Sequence, residues 1–441
     1  MNTPGRKNRV VIVGGGFGGV YTAAALEKAL ASTKDTEITL ISRDNYLLIT
    51  PLLFEAGSGV LDPRHVVCPV RQLLHRTRFI MADVKHIDVD ARQISAAHQP
   101  GGQRYSVQYD QLVLAVGGIT NRAIIPGSEH AMAFKTLADA IALRNRIIDA
   151  FEQADVESDP ARKKQLLTIV IIGAGLVGVE LVGELTEFLS NICGTYQHIR
   201  YEEIKVLMCE AGATFLKEMP DGQAADAKTV LEKRRVEIRI NTPVAEISPE
   251  GVTLGDKTFI PANLTLLCAG LGSHPLLADL PIPKQHGRIV VQPTMQCQER
   301  PEIWAIGDCA WIPDPEGKPY PQLAQHALRE ARVLADNICR SGRGEPLTPF
   351  VYKSLGILAA LGHYDGIGRV MKVHVRGFAA WWVWRTYYLT QMPHWSRRLR
   401  VMIDWTVALF FHNDVVKLDM NSNAHTELQE DDPDAADAPM K

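Results

Sequence analysis

Two glycine-rich turns, about 160 residues apart, restrict this chain more than any other feature. The first follows the aliphatic run Val10-Val-Ile-Val13. It reads Gly14-Gly-Gly16-Phe-Gly-Gly19 and leaves in the helical pattern VYTAAALEKAL. In such a turn Gly14 permits the tight bend and Gly16 lets backbone approach a pyrophosphate. Gly19 lets the helix pack on the strand, and the helix N-terminus favours the phosphate charge. The pattern returns as Thr168-Ile-Val-Ile-Ile172 followed by Gly173-Ala-Gly175-Leu-Val-Gly178. One such motif is weak evidence, but two in full strand–turn–helix context predict an α/β chain with two Rossmann-like domains. Two bound dinucleotides follow. An enzyme seldom needs two nicotinamides, so the simplest pair is a flavin and a nicotinamide exchanging hydride.

Composition narrows the class. A chain of 441 residues calls for two or three domains. A net charge of −3 supplies no basic field for nucleic acid. The seven cysteines are odd in number, with no C-x-x-C and no metal-ligand spacing, so reduced, inert thiols are expected and no metal. The N-terminal apolar run is too short for a secretion signal, and the expected location is the cytoplasmic side of the cell membrane. The last residues, from Glu427 to Asp437, are acidic and poor in bulky apolar groups; a disordered tail over 421–441 is expected.

Late in the chain, Ile303-Trp-Ala-Ile-Gly307-Asp308 reads as a buried strand ending in Gly-Asp. This resembles the motif that closes the FAD domain of two-dinucleotide flavoproteins, where the aspartate takes a hydrogen bond from the ribityl chain. The resemblance makes the first fingerprint the FAD site and the second the NADH site. It implies an FAD-binding domain over 1–135 and 290–345, with an NADH-binding domain, 136–289, inserted in it. The strand after the second fingerprint ends at Glu210, whose carboxylate accepts from an adenosine ribose and repels a 2′-phosphate, predicting NADH over NADPH. Glu210 lies farther from Gly178 than usual, and Asn191 to Glu203 reads as the added loop. In the FAD half the corresponding strand ends at Ser42, a weaker ribose partner than the usual acid. A second departure is Val116, where a threonine is common.

The segment NYLLITPLLFEAGSG, near residue 50, lacks the cysteine pair of disulfide reductases. Together with VVIVGGGFGG, VIIGAGLVGVELVGEL, AIGDCA, Ala324-Gln325-His326-Ala327 and a Trp-rich C-terminal segment, it resembles the type II NADH:quinone oxidoreductases over residues 9–420. That resemblance implies a quinone site (ubiquinone or menaquinone) lined by Ala324, Gln325 and Ala327, with Gln325 offering its amide to a quinone carbonyl. It also places Glu180 where nicotinamide stacks on the flavin, to orient the carboxamide or relay a proton. Arg329 stands where the family often has a second glutamine. The implied reaction is two-electron transfer from NADH through FAD to a membrane quinone, in a ping-pong cycle without proton pumping.

The C-terminal region, 346–420, changes character. Gly377 to Arg400 holds four of the seven tryptophans, and Arg369 to Arg400 carries seven Lys/Arg with no acidic residue. Arg369 to Val375 alternates like one strand, and two short helices are expected at 377–392 and 396–411, split by Pro393. Each is too short to span a bilayer but suits its surface, with Arg385, Arg397, Arg398 and Arg400 meeting headgroups. A homodimer interface is the second reading of the same face. Removing 377–411 is expected to free the protein from membranes while NADH chemistry persists. Two other functions remain in competition: a sulfide:quinone oxidoreductase-like flavoprotein, which needs reactive cysteines, and a non-catalytic NAD(H)-sensing flavoprotein.

Overall fold

A strand apolar on both faces needs a covering layer on each side, and both fingerprint strands are of this kind. The computed structural model describes residues 7–33, 35–98, 101–354, 356–371, 373–411 and 414–418. The acidic tail expected over 421–441 lies outside the described residues. Asn8–Val13 sits at the centre of a five-stranded parallel sheet ordered Ile303–Ala305, Gln111–Leu114, Asn8–Val13, Thr36–Ser42, Arg78–Met81. A second five-stranded parallel sheet runs Met132–Ala133, Leu264–Leu267, Thr168–Ile172, Lys205–Cys209, Val236–Arg239. The late strand with Trp304 pairs in register with Leu112 to Leu114, so the first sheet draws strands from both sides of the second in sequence. The chain passes between the sheets at 117–120 and returns at 270–272, where Ile119–Thr120 and Leu271–Gly272 pair antiparallel.

The helix of the first fingerprint, Phe17–Ala29, packs along Ala324–Arg343, the helix that begins with the Ala-Gln-His-Ala motif. The helix of the second fingerprint, Leu176–Cys193, continues through the start of the stretch read as an added loop, whose last residues, Tyr201–Glu203, form a 3-10 turn.

The C-terminal region opens with three antiparallel strands, Gly356–Ala360, Gly366–Val370 and Val373–Arg376. The single strand expected from Arg369 to Val375 is therefore two, because the chain reverses at Met371, whose φ is +54°. Alternation cannot separate one strand from the two arms of a tight hairpin, since both have period two. Two helices follow, Gly377–Gln391 and Trp395–Ala408, close to those expected. The first lies directly on the sheet: a Cβ at Gly366 would come 2.9 Å from the Trp381 backbone N. The second-fingerprint helix abuts the same sheet, since a Cβ at Gly183 would stand 2.5 Å from the Leu361 carbonyl carbon. Residues 414–418 then double back onto Leu137–Val156, where Asn145 exchanges hydrogen bonds of 2.6 and 2.9 Å with Leu418. Among the described residues no helix is long and apolar enough to cross a membrane.

Candidate active site

The glycines of the first turn divide the work as their spacing suggests. Gly14 has φ +115°, and a Cβ there would overlap the Ala115 carbonyl; a Cβ on Gly19 would overlap the Gly14 carbonyl. Both are packing glycines. Gly16 differs, because nothing lies within 4 Å of its Cβ position, so the backbone is open to an approaching group. Ser42 packs over Gly15 at the end of the neighbouring strand. Beside it lies a cavity of about 230 Å³ bounded by Arg43, Met81, Ala82, Asp83 and His98. Arg43 and Asp83 had no role in the sequence reading, although Arg43 follows Ser42 directly.

Asp308 occupies a short turn whose first residue, Gly307, has φ +69°. Burial raises its carboxyl above the usual range, opposed by Lys135 and Arg288. Lys135 Nζ stands 3.8 Å from Asp308 Oδ2, and burial lowers the pKa of both cations. Neither cation was found by motif, since each is distant in sequence from Asp308. The turn is tied to the Ala-Gln-His-Ala helix and to the segment leading into it. Glu330 Oε2 accepts from Gly307 N at 2.8 Å, and Gln322 Nε2 donates to the Asp308 carbonyl at 2.8 Å. Buried Glu330 is pushed up to about 7.

Ala327 earns its small size, because the Cβ position of Gly307 lies 3.6 Å from Ala327 Cβ. Ala324 and Gln325 sit half-buried in the first turn of this helix, and the Gln325 side chain makes no hydrogen bond among the described residues. His326 turns the other way, into a buried aromatic box with Tyr320 and Tyr352, at 5.6 and 5.3 Å between ring centres. Burial, then Arg329, lowers His326 to about 4, so it is neutral. Arg329 stacks 4.4 Å over Tyr352 and donates to the Gln325 carbonyl at 2.7 Å.

The second turn repeats the first. Gly173 has φ +105° and is closed in by Cys268 and Ala269, while Gly178 has no room because of the Gly173 carbonyl. The Glu218 carboxylate stands 3.1 Å from the Cβ position of Gly175, at the positive end of the helix. Glu210 braces the turn: Oε2 accepts from Ala174 N and Oε1 from Gly212 N, both at 2.8 Å. Its carboxylate is thereby fixed beside the cradle with lone pairs to spare.

Glu180, in the first turns of that helix, meets the C-terminal region. Its Oε1 accepts from Ala360 N and from Trp384 Nε1, each at 3.2 Å. Burial pushes the carboxyl up to about 8 against these two donors. One turn on, Glu184 is buried and also pushed up to about 8, by burial and then by Glu55. Ser58 donates to it at 3.3 Å.

Arg385 corrects the sequence reading. It is 5% exposed and faces inward, not toward headgroups. It donates to Glu55 Oε1 through Nε (3.0 Å) and Nη2 (2.7 Å), lying 4.0 Å over Trp381 and 4.7 Å over Trp405. Trp405 Nε1 completes the carboxylate at 2.7 Å. Arg397 and Arg398 also spend donors on backbone carbonyls. Cutting out 377–411 would thus strip Glu55 of Arg385 and Trp405 and take the Trp384 donor from Glu180, so the segment is not a detachable anchor. Glu55 lies in NYLLITPLLFEAGSG, the segment singled out in sequence with no role for its acid.

The thiols are unreactive by environment. Burial pushes Cys209 to about 11 and Cys268 and Cys309 to about 12. Among the described residues no group of three His, Cys, Asp or Glu is placed to hold a metal.

The chain matches the pyridine nucleotide-disulphide oxidoreductase family over residues 8–331 and the NDH2 C-terminal domain over residues 354–414. It is 30% identical to a type II NADH:quinone oxidoreductase of Staphylococcus aureus, over 84% of this chain and 92% of that one. It is 29% identical to the type II NADH:quinone oxidoreductase Ndh of Mycobacterium tuberculosis, over 97% and 94% of the two chains. Its fold is similar to that of NDH2 from Plasmodium falciparum, solved in complex with NADH, with a TM-score of 0.87, 19% identity and coverage of 93% and 100%.

Proposed function

The chain belongs to the type II NADH:quinone oxidoreductases, and from that premise we propose a peripheral enzyme of the cytoplasmic membrane face that passes two electrons from NADH to a membrane quinone without pumping protons. FAD fits the first site on three observations: the open backbone at Gly16, the cavity beside Ser42 and Arg43, and the half-buried Asp308 between two cations. Bound there, FAD supplies the two-electron carrier between the substrates. Gly14, Gly16 and Gly19 shape the pyrophosphate cradle, Ser42 meets the adenosine ribose, and Asp308 accepts from the ribityl chain. In this reading 1–135 with 290–345 form the flavin domain, 136–289 the NADH domain, and 346–420 the membrane and dimerisation region.

On the other side, Gly173, Gly175 and Gly178 receive the NADH pyrophosphate. Glu210, already held by two amides, offers its remaining lone pairs to the ribose hydroxyls and rejects a 2′-phosphate. Glu180 is protonated at neutral pH and orients the carboxamide or hands on a proton. Gln325 presents its amide to a quinone carbonyl, with Ala324 and Ala327 keeping the wall close. The quinone face stays near the membrane because the two C-terminal helices turn their apolar side chains outward. Trp382 is 59% and Trp395 70% exposed, with Leu399, Met402, Ile403, Val407, Phe410 and Phe411 along the same stretch.

The observation that carries the reading is Glu180, where the second glycine cradle, the C-terminal sheet and the aromatic helix meet at one carboxyl. The test is direct. Purified protein should hold FAD by its absorbance, lose the flavin colour on adding NADH, and regain it with a short-chain quinone. Parallel double-reciprocal plots are expected for NADH against quinone. A flavin that NADH leaves oxidised would remove the proposal. Bleaching by sulfide would revive the sulfide:quinone alternative, against which the unreactive Cys209, Cys268 and Cys309 argue.

A further inference from the structure

The proposed reaction leaves unexplained why a membrane-surface helix should send a tryptophan N–H to the carboxyl of the nucleotide-binding helix. Glu180 Oε1 takes two donors, and both belong to the C-terminal region: Ala360 N from its sheet and Trp384 Nε1 from its aromatic helix. Oε2 has no hydrogen-bond partner among the described residues. One oxygen is fixed and the other is left to act. Trp384 is itself 1% exposed, so its indole has no competing water.

The other groups around this carboxyl do not compensate its charge. Glu184 is one turn along the same helix, and its hydrogen bond goes to Ser58. Glu55, from the segment packed beneath, is taken up by Arg385 and Trp405. Tyr388, one turn from Trp384 on the aromatic helix with ring centres 4.7 Å apart, has its hydroxyl raised by burial first and then by Glu180, so it stays neutral. Among the described residues no cation contributes to Glu180, and the influences favouring its charged form are the Ala360 and Trp384 N–H groups.

We infer that Trp384 is a positioning residue of the reaction, holding one oxygen of Glu180 so that the other faces the substrates and setting how readily that carboxyl parts with its proton. The inference rests on the proposed role of Glu180 at the nicotinamide. It extends the use of the aromatic helix: its outer face meets the bilayer, and its inner face tunes the site. A hydrogen bond to the carboxylate favours ionisation, so losing the Trp384 donor raises the proton affinity of Glu180.

Three variants test this in the FAD-loaded enzyme with a water-soluble quinone. W384F removes the N–H. Replacing Trp384 with 3-benzothienylalanine removes it while keeping the ring volume, and so covers the case where W384F folds poorly. E180Q removes the ionisation itself. The expected result is an ionisation in the kcat/KM profile that moves up by about one pH unit in both Trp384 variants and is missing in E180Q. The protonated-carboxyl infrared band should persist to correspondingly higher pH without substrate. If E180Q keeps the native profile, the reading of Glu180 is wrong. If E180Q loses the ionisation but the Trp384 variants leave it in place, the positioning role is wrong. A uniform drop in turnover with an unmoved ionisation would assign Trp384 to packing alone.

Discussion

Glu330 and Glu184 are acids where most proteins keep apolar side chains, and each accepts a hydrogen bond, from a backbone amide and from a hydroxyl respectively. Glu330 satisfies Gly307 N under the Asp308 turn, and Glu184 takes Ser58 Oγ from a segment 126 residues earlier in the chain. Burial holds both carboxyls protonated well above the carboxylate range, at about 7 and about 8. The consequence for stability has a definite sign. In the unfolded chain these acids ionise near pH 4.3, so above that pH the unfolded state releases protons that the folded state keeps. Folded stability therefore falls as pH rises from about 4.3 toward about 8 and levels off beyond the folded values. Thermal melts across that range should show this slope, and E330Q and E184Q should each flatten it. E330A should instead cost about 1–3 kcal/mol, because Gly307 N is left buried without an acceptor. A second residue-scale expectation concerns Glu218, whose carboxylate stands by Gly175 at the mouth of the proposed NADH cradle. E218Q should lower the KM for NADH about two- to fivefold, an effect that shrinks with added salt.

At the scale of elements, the helix Gly377–Gln391 has two working faces. Trp381, Trp384 and Arg385 face the body, while Phe378 and Trp382 face out. The inner face is held by a fully desolvated ion pair. Arg385→Met should destabilise the fold by about 3–5 kcal/mol, because Glu55 is left buried without its cation. The double variant R385M/E55M should recover most of that loss, and denaturant unfolding of the three proteins measures it. A double variant as unstable as R385M would mean that ring stacking on Trp381 and Trp405 matters more than the charges. This face also marks the limit of what sequence could tell. The glycine turns, the Gly-Asp strand and the Ala-Gln-His-Ala helix are local patterns, legible because each needs particular residues at fixed spacing. The Glu55–Arg385 pair spans 330 residues and the Glu180–Trp384 pair 204, and no local period announces a partner that distant. A run of Trp and Arg without acids looks the same whether the arginines meet lipid headgroups or a carboxylate buried elsewhere in the fold.

For the molecule as a whole, the two faces of the C-terminal helices would make the proposed membrane attachment separable from catalysis by substitution but not by deletion. Leu399, Met402, Ile403, Val407, Phe410 and Phe411 are exposed and make no part of the inner contacts, which run instead through Val401, Asp404 and Trp405. Each 100 Å² of such surface transferred into the bilayer is worth roughly 2.5 kcal/mol, so a few charged replacements should cancel binding. The triple variant W382S/I403E/F410E is the test. With a water-soluble quinone its turnover should match that of the native enzyme, since all three side chains are exposed on the outer face. With a long-tailed quinone in vesicles its rate should fall about tenfold or more, and it should remain in solution when the vesicles are sedimented. A variant that still sediments would place the attachment elsewhere. One that stays soluble yet drops to a smaller oligomer would show that the same face joins two copies of the chain, and sedimentation velocity without lipid separates these outcomes. If instead the water-soluble quinone rate falls as far as the vesicle rate, the outer and inner faces are not independent, and docking itself must help hold the aromatic helix against Glu180.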